Sequence, residues 1–63
     1  MTKLTQRIRA EFEETPGLRV TIREGARFWG LEEQLCEQVL SHLFVTGFLS
    51  RGPDRRYAQA SGR

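Results

Sequence analysis

Cys36 and His42 are the one thiol and the one imidazole among the sixty-three residues. Both fall in a stretch whose apolar residues recur at helical spacing. Six positions at ~100° per residue set the two side chains roughly 240° apart around such a helix, so they form no nucleophile–base pair. Nor can one cysteine and one histidine supply the three or four ligands that a protein zinc site usually takes. A single cysteine also excludes an internal disulfide framework and fits a reducing cytoplasm. Cys36 lies on the inner stripe and reads as an inert core thiol. Glu11, Glu13 and Glu14 have the look of paired carboxylates, but at the end of an amphipathic stretch they read as a solvated helix end. No phosphate-cradling glycine loop is present. An enzyme, a cofactor and a metal are therefore not expected, which leaves a small module that binds something.

Guanidinium groups are the other chemistry on offer. The formal net charge is only +2, but it is unevenly spread. Residues 1–15 are balanced, with Lys3, Arg7 and Arg9 against Glu11, Glu13 and Glu14. Residues 16–30 are basic through Arg19, Arg23 and Arg27, and residues 48–63 through Arg51, Arg55, Arg56 and Arg63. Residues 31–47 carry Glu32, Glu33 and Glu37 and neither lysine nor arginine. Such local fields matter more than the sum. Arg23 and Arg27, four apart, make a basic stripe. Whether it joins the later arginines in space, or is simply a solvated surface, depends on the fold.

The elements that must position these groups follow from periodicity and punctuation. Leu4, Ile8 and Phe12 repeat every four residues, which predicts a helix from Thr2 to about Thr15. Thr15-Pro16-Gly17 stops it. Leu18-Arg19-Val20 alternates and is long enough for a short strand. Thr21 with Glu24 is a capping box, so a second helix starts at Ile22, buries Ile22, Ala26 and Trp29, and ends at Gly30. A third helix is predicted from about Glu32 to Thr46. Cys36, Leu40, Leu43 and Gly47 mark its inner stripe, widened by Val39 and Leu35. Glu33, Gln34, Glu37, Gln38 and Ser41 fall on the wet face. Phe48 to Arg51 and Arg56 to Gln59 read as strands of a hairpin around the turn Gly52-Pro53-Asp54-Arg55. Ala60 to Arg63 is a tail.

One domain over residues 1–63, ordered from about 3 to 59, is all this length allows; such a chain buries only roughly 60% of its unfolded surface. No apolar run approaches the ~18 residues of a membrane span, and there is no signal-peptide core. The expected fold class is α+β, mainly α. Ala26 is expected where the second and third helices cross closely, Trp29 beside the first helix, Leu31 in the turn, and Leu49 and Tyr57 below. Phe28 and Phe44 either complete this core or remain exposed, in which case they would suit a homodimer or partner surface.

This order of elements resembles the winged helix-turn-helix family known from bacterial transcription regulators. The residues that carry the resemblance are Thr21-x-x-Glu24-Gly25-Ala26-x-x-Trp29-Gly30-Leu31, then Cys36, Leu40 and Leu43 in register, then Gly47-Phe48-Leu49, with Pro53-Asp54-x-Arg56-Tyr57 as the wing. It covers about residues 4–59. It implies three helices, a short strand and a C-terminal β-hairpin wing, and a partner that is double-stranded DNA. The third helix would then enter the major groove and present Glu33, Gln34, Glu37, Gln38 and Ser41 to it. Glutamine can pair bidentately with adenine, and glutamate can accept from cytosine N4. Arg23 and Arg27, with Arg51, Arg55 and Arg56 on the wing, would hold phosphates. This chain departs from the family's habit at Glu33 and Glu37, where readers of DNA typically carry Arg, Lys, Ser or Thr. Carboxylates oppose the electrostatic attraction to a duplex. A protein-interaction module of the same fold, meeting a basic partner through that acidic face, is therefore the second expectation.

Overall fold

The computed structural model describes residues 2–60. Of the tail expected from Ala60 to Arg63, residues 61–63 lie outside the described residues, and the Ala60 N–H donates to the Phe48 carbonyl. The elements run α1 (Thr2–Glu14), β1 (Arg19–Val20), α2 (Ile22–Trp29), α3 (Glu33–Val45), β2 (Leu49–Arg51) and β3 (Tyr57–Gln59). The strands form one antiparallel sheet in the order β1-β3-β2. Arg19 faces Ala58 and Val20 faces Tyr57 across one ladder; Ser50 faces Ala58 and Arg51 faces Tyr57 across the other. Three helices on a small sheet whose last two strands form a hairpin are the α+β, winged-helix architecture expected from the sequence.

Each helix ends where local chemistry dictates. The apolar stripe of α1 buries Ile8 and Phe12 completely. The Thr21 hydroxyl accepts from the Glu24 N–H at 3.1 Å, and the Glu24 carboxylate accepts from the Thr21 N–H at 3.0 Å, so the capping box is closed in both directions. Gly30, at φ 68°, terminates α2, and the Leu31 N–H reaches back to the Ala26 carbonyl at 2.8 Å. At the end of α3 the Gly47 N–H donates to the Phe44 carbonyl and the Phe48 N–H to the Leu43 carbonyl, the paired bonds of a Schellman motif. Gly47 itself is exposed, beyond the helix, with φ 89°. It corrects the expectation of an inner-stripe position: its role is the left-handed turn into β2.

The core is Ile8, Phe12, Val20, Ala26, Cys36, Val39, Leu40, Leu43, Leu49 and Tyr57. The close crossing of α2 and α3 expected at Ala26 extends to Gly25. A Cβ on Gly25 would lie 2.7 Å from Trp29 Cζ3 and 3.1 Å from Cys36 Sγ. Trp29 stacks obliquely on Phe12, with ring centroids 6.0 Å apart, so it stands beside α1 as expected. Its indole N–H is buried and finds no hydrogen-bond partner among the described residues.

Burial of Cys36, reinforced by the Glu33 carboxylate, raises its thiol from the ordinary 9.0 to about 11. An acid whose folded value lies above its unfolded value costs stability once the unfolded chain starts to ionise. Stability is therefore expected to fall as pH climbs from about 9 to about 11. Urea denaturation across that range, compared with Cys36→Ala, checks it: the variant should lose less stability over the same interval.

Candidate nucleic-acid interface

The outward surface of α3 divides into two lines. Gln34, Gln38, Ser41 and Val45 follow one another at spacings of four, three and four, and share one face. Gln34 and Gln38 are exposed, Ser41 is half-buried, and Val45 is 81% exposed. Glu33, Glu37 and Phe44 lie to one side of this face, turned toward the wing. Glu37, one turn from both Gln34 and Ser41, sets a carboxylate at the edge of this otherwise uncharged face, and Gln34 borders the groove together with Glu33 and Glu37.

An open groove of about 950 Å³ separates the start of α3 from the hairpin. Glu33, Gln34 and Glu37 form one wall, Arg51, Arg55 and Asp54 the other, and Arg23 from α2 closes the end. Arg23 Nε is 3.4 Å from Glu33 Oε2, so one of the two glutamates is already partnered by a cation. The groove carries as many guanidinium groups as carboxylates, which offsets much of the repulsion an anion would meet there.

The arginines are held in different ways. Arg51 lies with its guanidinium 5.3 Å from the Phe44 ring centroid and 5.9 Å from that of Tyr57. Two aromatic faces fix it without neutralising its charge. Arg56 bonds to Glu24 at 3.0 Å and approaches Asp54 at 3.7 Å. It ties the base of the hairpin to the capping box of α2 and is withdrawn from the group of open cations expected from the sequence. Asp54 also pairs with Arg19 at 3.2 Å. Among the described residues, the Arg27 and Arg55 side chains have no ion-pair partner. Arg27 shares its side of α2 with Arg23, one turn on, outside the groove.

The wing tip explains how Arg55 is presented. Its N–H donates to the Gly52 carbonyl at 2.9 Å, closing a β-turn with Pro53 and Asp54 in the centre. Pro53 presets the second position, and the Asp54 carboxylate accepts from the Arg56 N–H at 3.1 Å. The chain then bends back through Arg55 at φ 66°, the one described non-glycine residue with positive φ. A glycine would take that conformation without the steric cost of a Cβ, about 1 kcal/mol. Glycine's greater freedom in the unfolded chain takes back part of this gain, so Arg55→Gly is expected to raise the melting temperature by up to roughly 4 °C, as followed by circular dichroism.

The structure thus brings Arg23, Arg51 and Arg55 to one groove with Glu33, Gln34 and Glu37, and places Gln38 and Ser41 on the adjoining face. It adds Val45, which continues the line of Ser41 one turn further, and Phe44 and Tyr57, which seat Arg51. The i+4 spacing from Ser41 is the signal that finds Val45 in the sequence. No protein-family profile, curated protein or solved structure matches the chain. No described helix is long and apolar enough to cross a membrane.

Proposed function

We propose that this chain is a winged helix-turn-helix protein that binds double-stranded DNA and acts as a cytoplasmic transcriptional regulator. The observation that carries the reading is the pairing of the exposed α3 line Gln34, Gln38, Ser41 and Val45 with Arg55, whose side chain has no ion-pair partner among the described residues, raised on the wing across the groove. A helix of this width fits the major groove, and cations flanking it can take the phosphates on either side. Arg51 and Arg55 serve on the wing and Arg27 on α2, while Arg23 is engaged by Glu33. Glu33 is thus occupied, and the groove that Glu33 and Glu37 border carries Arg51 and Arg55 on its other wall, which offsets part of their repulsion of a duplex. The test is an anisotropy titration of a random-sequence duplex at ~50 mM salt, where a DNA binder shows non-specific affinity. Saturable binding supports the reading; no change at high micromolar protein overturns it.

A second reading rests on Phe28, which is 63% exposed with its ring edge-on to Trp29 at 5.6 Å. An aromatic left outside the core favours a protein-interaction module or a homodimer, with Glu33 and Glu37 facing a basic partner. The two readings separate in one variant: Glu33→Lys with Glu37→Lys abolishes binding to a basic protein and strengthens binding to DNA.

A further inference from the structure

We propose that the outward line of α3 selects A·T base pairs, reading adenine with Gln34 and Gln38 and the methyl group of thymine with Val45. The inference rests on the DNA-binding reading and adds to it the class of sequence preferred. Each base pair shows its own set of groups in the major groove. Guanine offers two acceptors and is taken by arginine or lysine, adenine offers a donor and an acceptor and is taken by glutamine or asparagine, and thymine adds a methyl group. The segment from residue 31 to 47 contains no arginine or lysine, so guanine has no partner there. Two exposed glutamines occupy the line instead, four residues and therefore about 6 Å apart along the axis, close to two base-pair steps.

Val45 completes the pattern. It is 81% exposed, the most exposed of the described large hydrophobic residues, in line with two amides and a hydroxyl. The core does not use it, being closed by Leu43 and Val39 on the opposite side of the helix. An apolar side chain at the end of a base-reading line matches the one apolar group in the major groove, the thymine methyl. Eleven residues separate Gln34 from Val45, about 16 Å of helix, so the line spans roughly five base pairs. Glu33 and Glu37, the α3 carboxylates that could accept from cytosine N4, border the groove beneath the wing, and Glu33 is already paired with Arg23.

Three duplexes of one length decide the matter: one rich in A·T, the same with deoxyuridine for thymidine, and one rich in G·C. Binding is measured by anisotropy at ~50 mM salt on the full chain, with wild type and Val45→Ala compared after their melting curves are shown to coincide. The A·T duplex is expected to bind about tenfold tighter than the G·C duplex. Deoxyuridine should cost the wild type about fourfold, the value of one buried methyl group, and cost Val45→Ala distinctly less. Gln38→Arg should shift preference toward the G·C duplex. Equal affinity for all three duplexes would overturn the base preference while leaving duplex binding intact. Binding to none of them would overturn both.

Discussion

Phe12→Ala is expected to remove most of the stability of this domain. Phe12 is fully buried, at the point where α1 meets the Trp29 ring. Truncating a buried phenylalanine costs about 3–5 kcal/mol, as transfer and as the cavity left behind. A chain of this length holds only about 3–9 kcal/mol in total. The melting temperature should fall by at least ~15 °C, and a large fraction of molecules should be unfolded at room temperature. Trp29→Ala should cost less, although tryptophan is the larger residue. Trp29 is only partly buried, and its indole N–H lies unsatisfied in the interior, so truncation also removes a desolvation penalty of about 1–3 kcal/mol. Urea midpoints of the two variants give the order; a larger loss at Trp29 would mean that the tryptophan, not Phe12, is the keystone of the three-helix core.

The second large effect is on binding. Arg51→Ala with Arg55→Ala is expected to weaken affinity for any duplex about 100-fold at ~0.1 M salt, since each arginine removed from a phosphate forfeits counterion release worth about tenfold. The loss should be uniform across sequences, and the plot of log affinity against log salt should become shallower by roughly two. Arg56→Ala is the matched control. Its guanidinium is engaged with Glu24 and Asp54, so its removal should change affinity less than about threefold and cost stability about 0–1 kcal/mol. An Arg56→Ala loss as large as that of the double variant would show that the Glu24 pair opens on binding. Anisotropy titrations at three salt concentrations give both the affinities and the slopes.

Local chemistry was legible before the structure; distant pairing was not. Thr21 and Glu24 announce α2 because a capping box needs only residues three apart, and Gly30 and Gly47 announce helix ends because few other residues take their conformation. Strand limits moved by one residue. Leu18, Phe48 and Arg56 fall outside the strands, although the Ala60 N–H still donates to the Phe48 carbonyl at 2.9 Å. Periodicity could not show that β1 pairs with β3, since those residues are nearly forty positions apart. The same limit governs the site. All five candidate arginines can be named from the sequence, but which are open depends on Glu24 meeting Arg56 across 32 positions and on Phe44 and Tyr57 converging on Arg51. Gly25 has no assignable role until the distance between α2 and α3 is known. The acidic character of α3 weighs against DNA in the sequence; the structure adds that Glu33 is paired with Arg23 and that Arg51 and Arg55 stand across the groove from Glu37, neither of which the sequence shows.

The most direct test of the DNA interface is a residue-by-residue chemical-shift map of the isotopically labelled chain titrated with a short duplex. The backbone and side-chain amides of Gln34 and Gln38, the amides of Ser41 and Val45, and the amide of Arg55 are expected to move together and saturate at one stoichiometry, while residues of α1 stay still. Shifts centred on Phe28 and the exposed side of α1, with Gln34, Gln38 and Arg55 unchanged, would contradict a duplex seated on α3 and the wing.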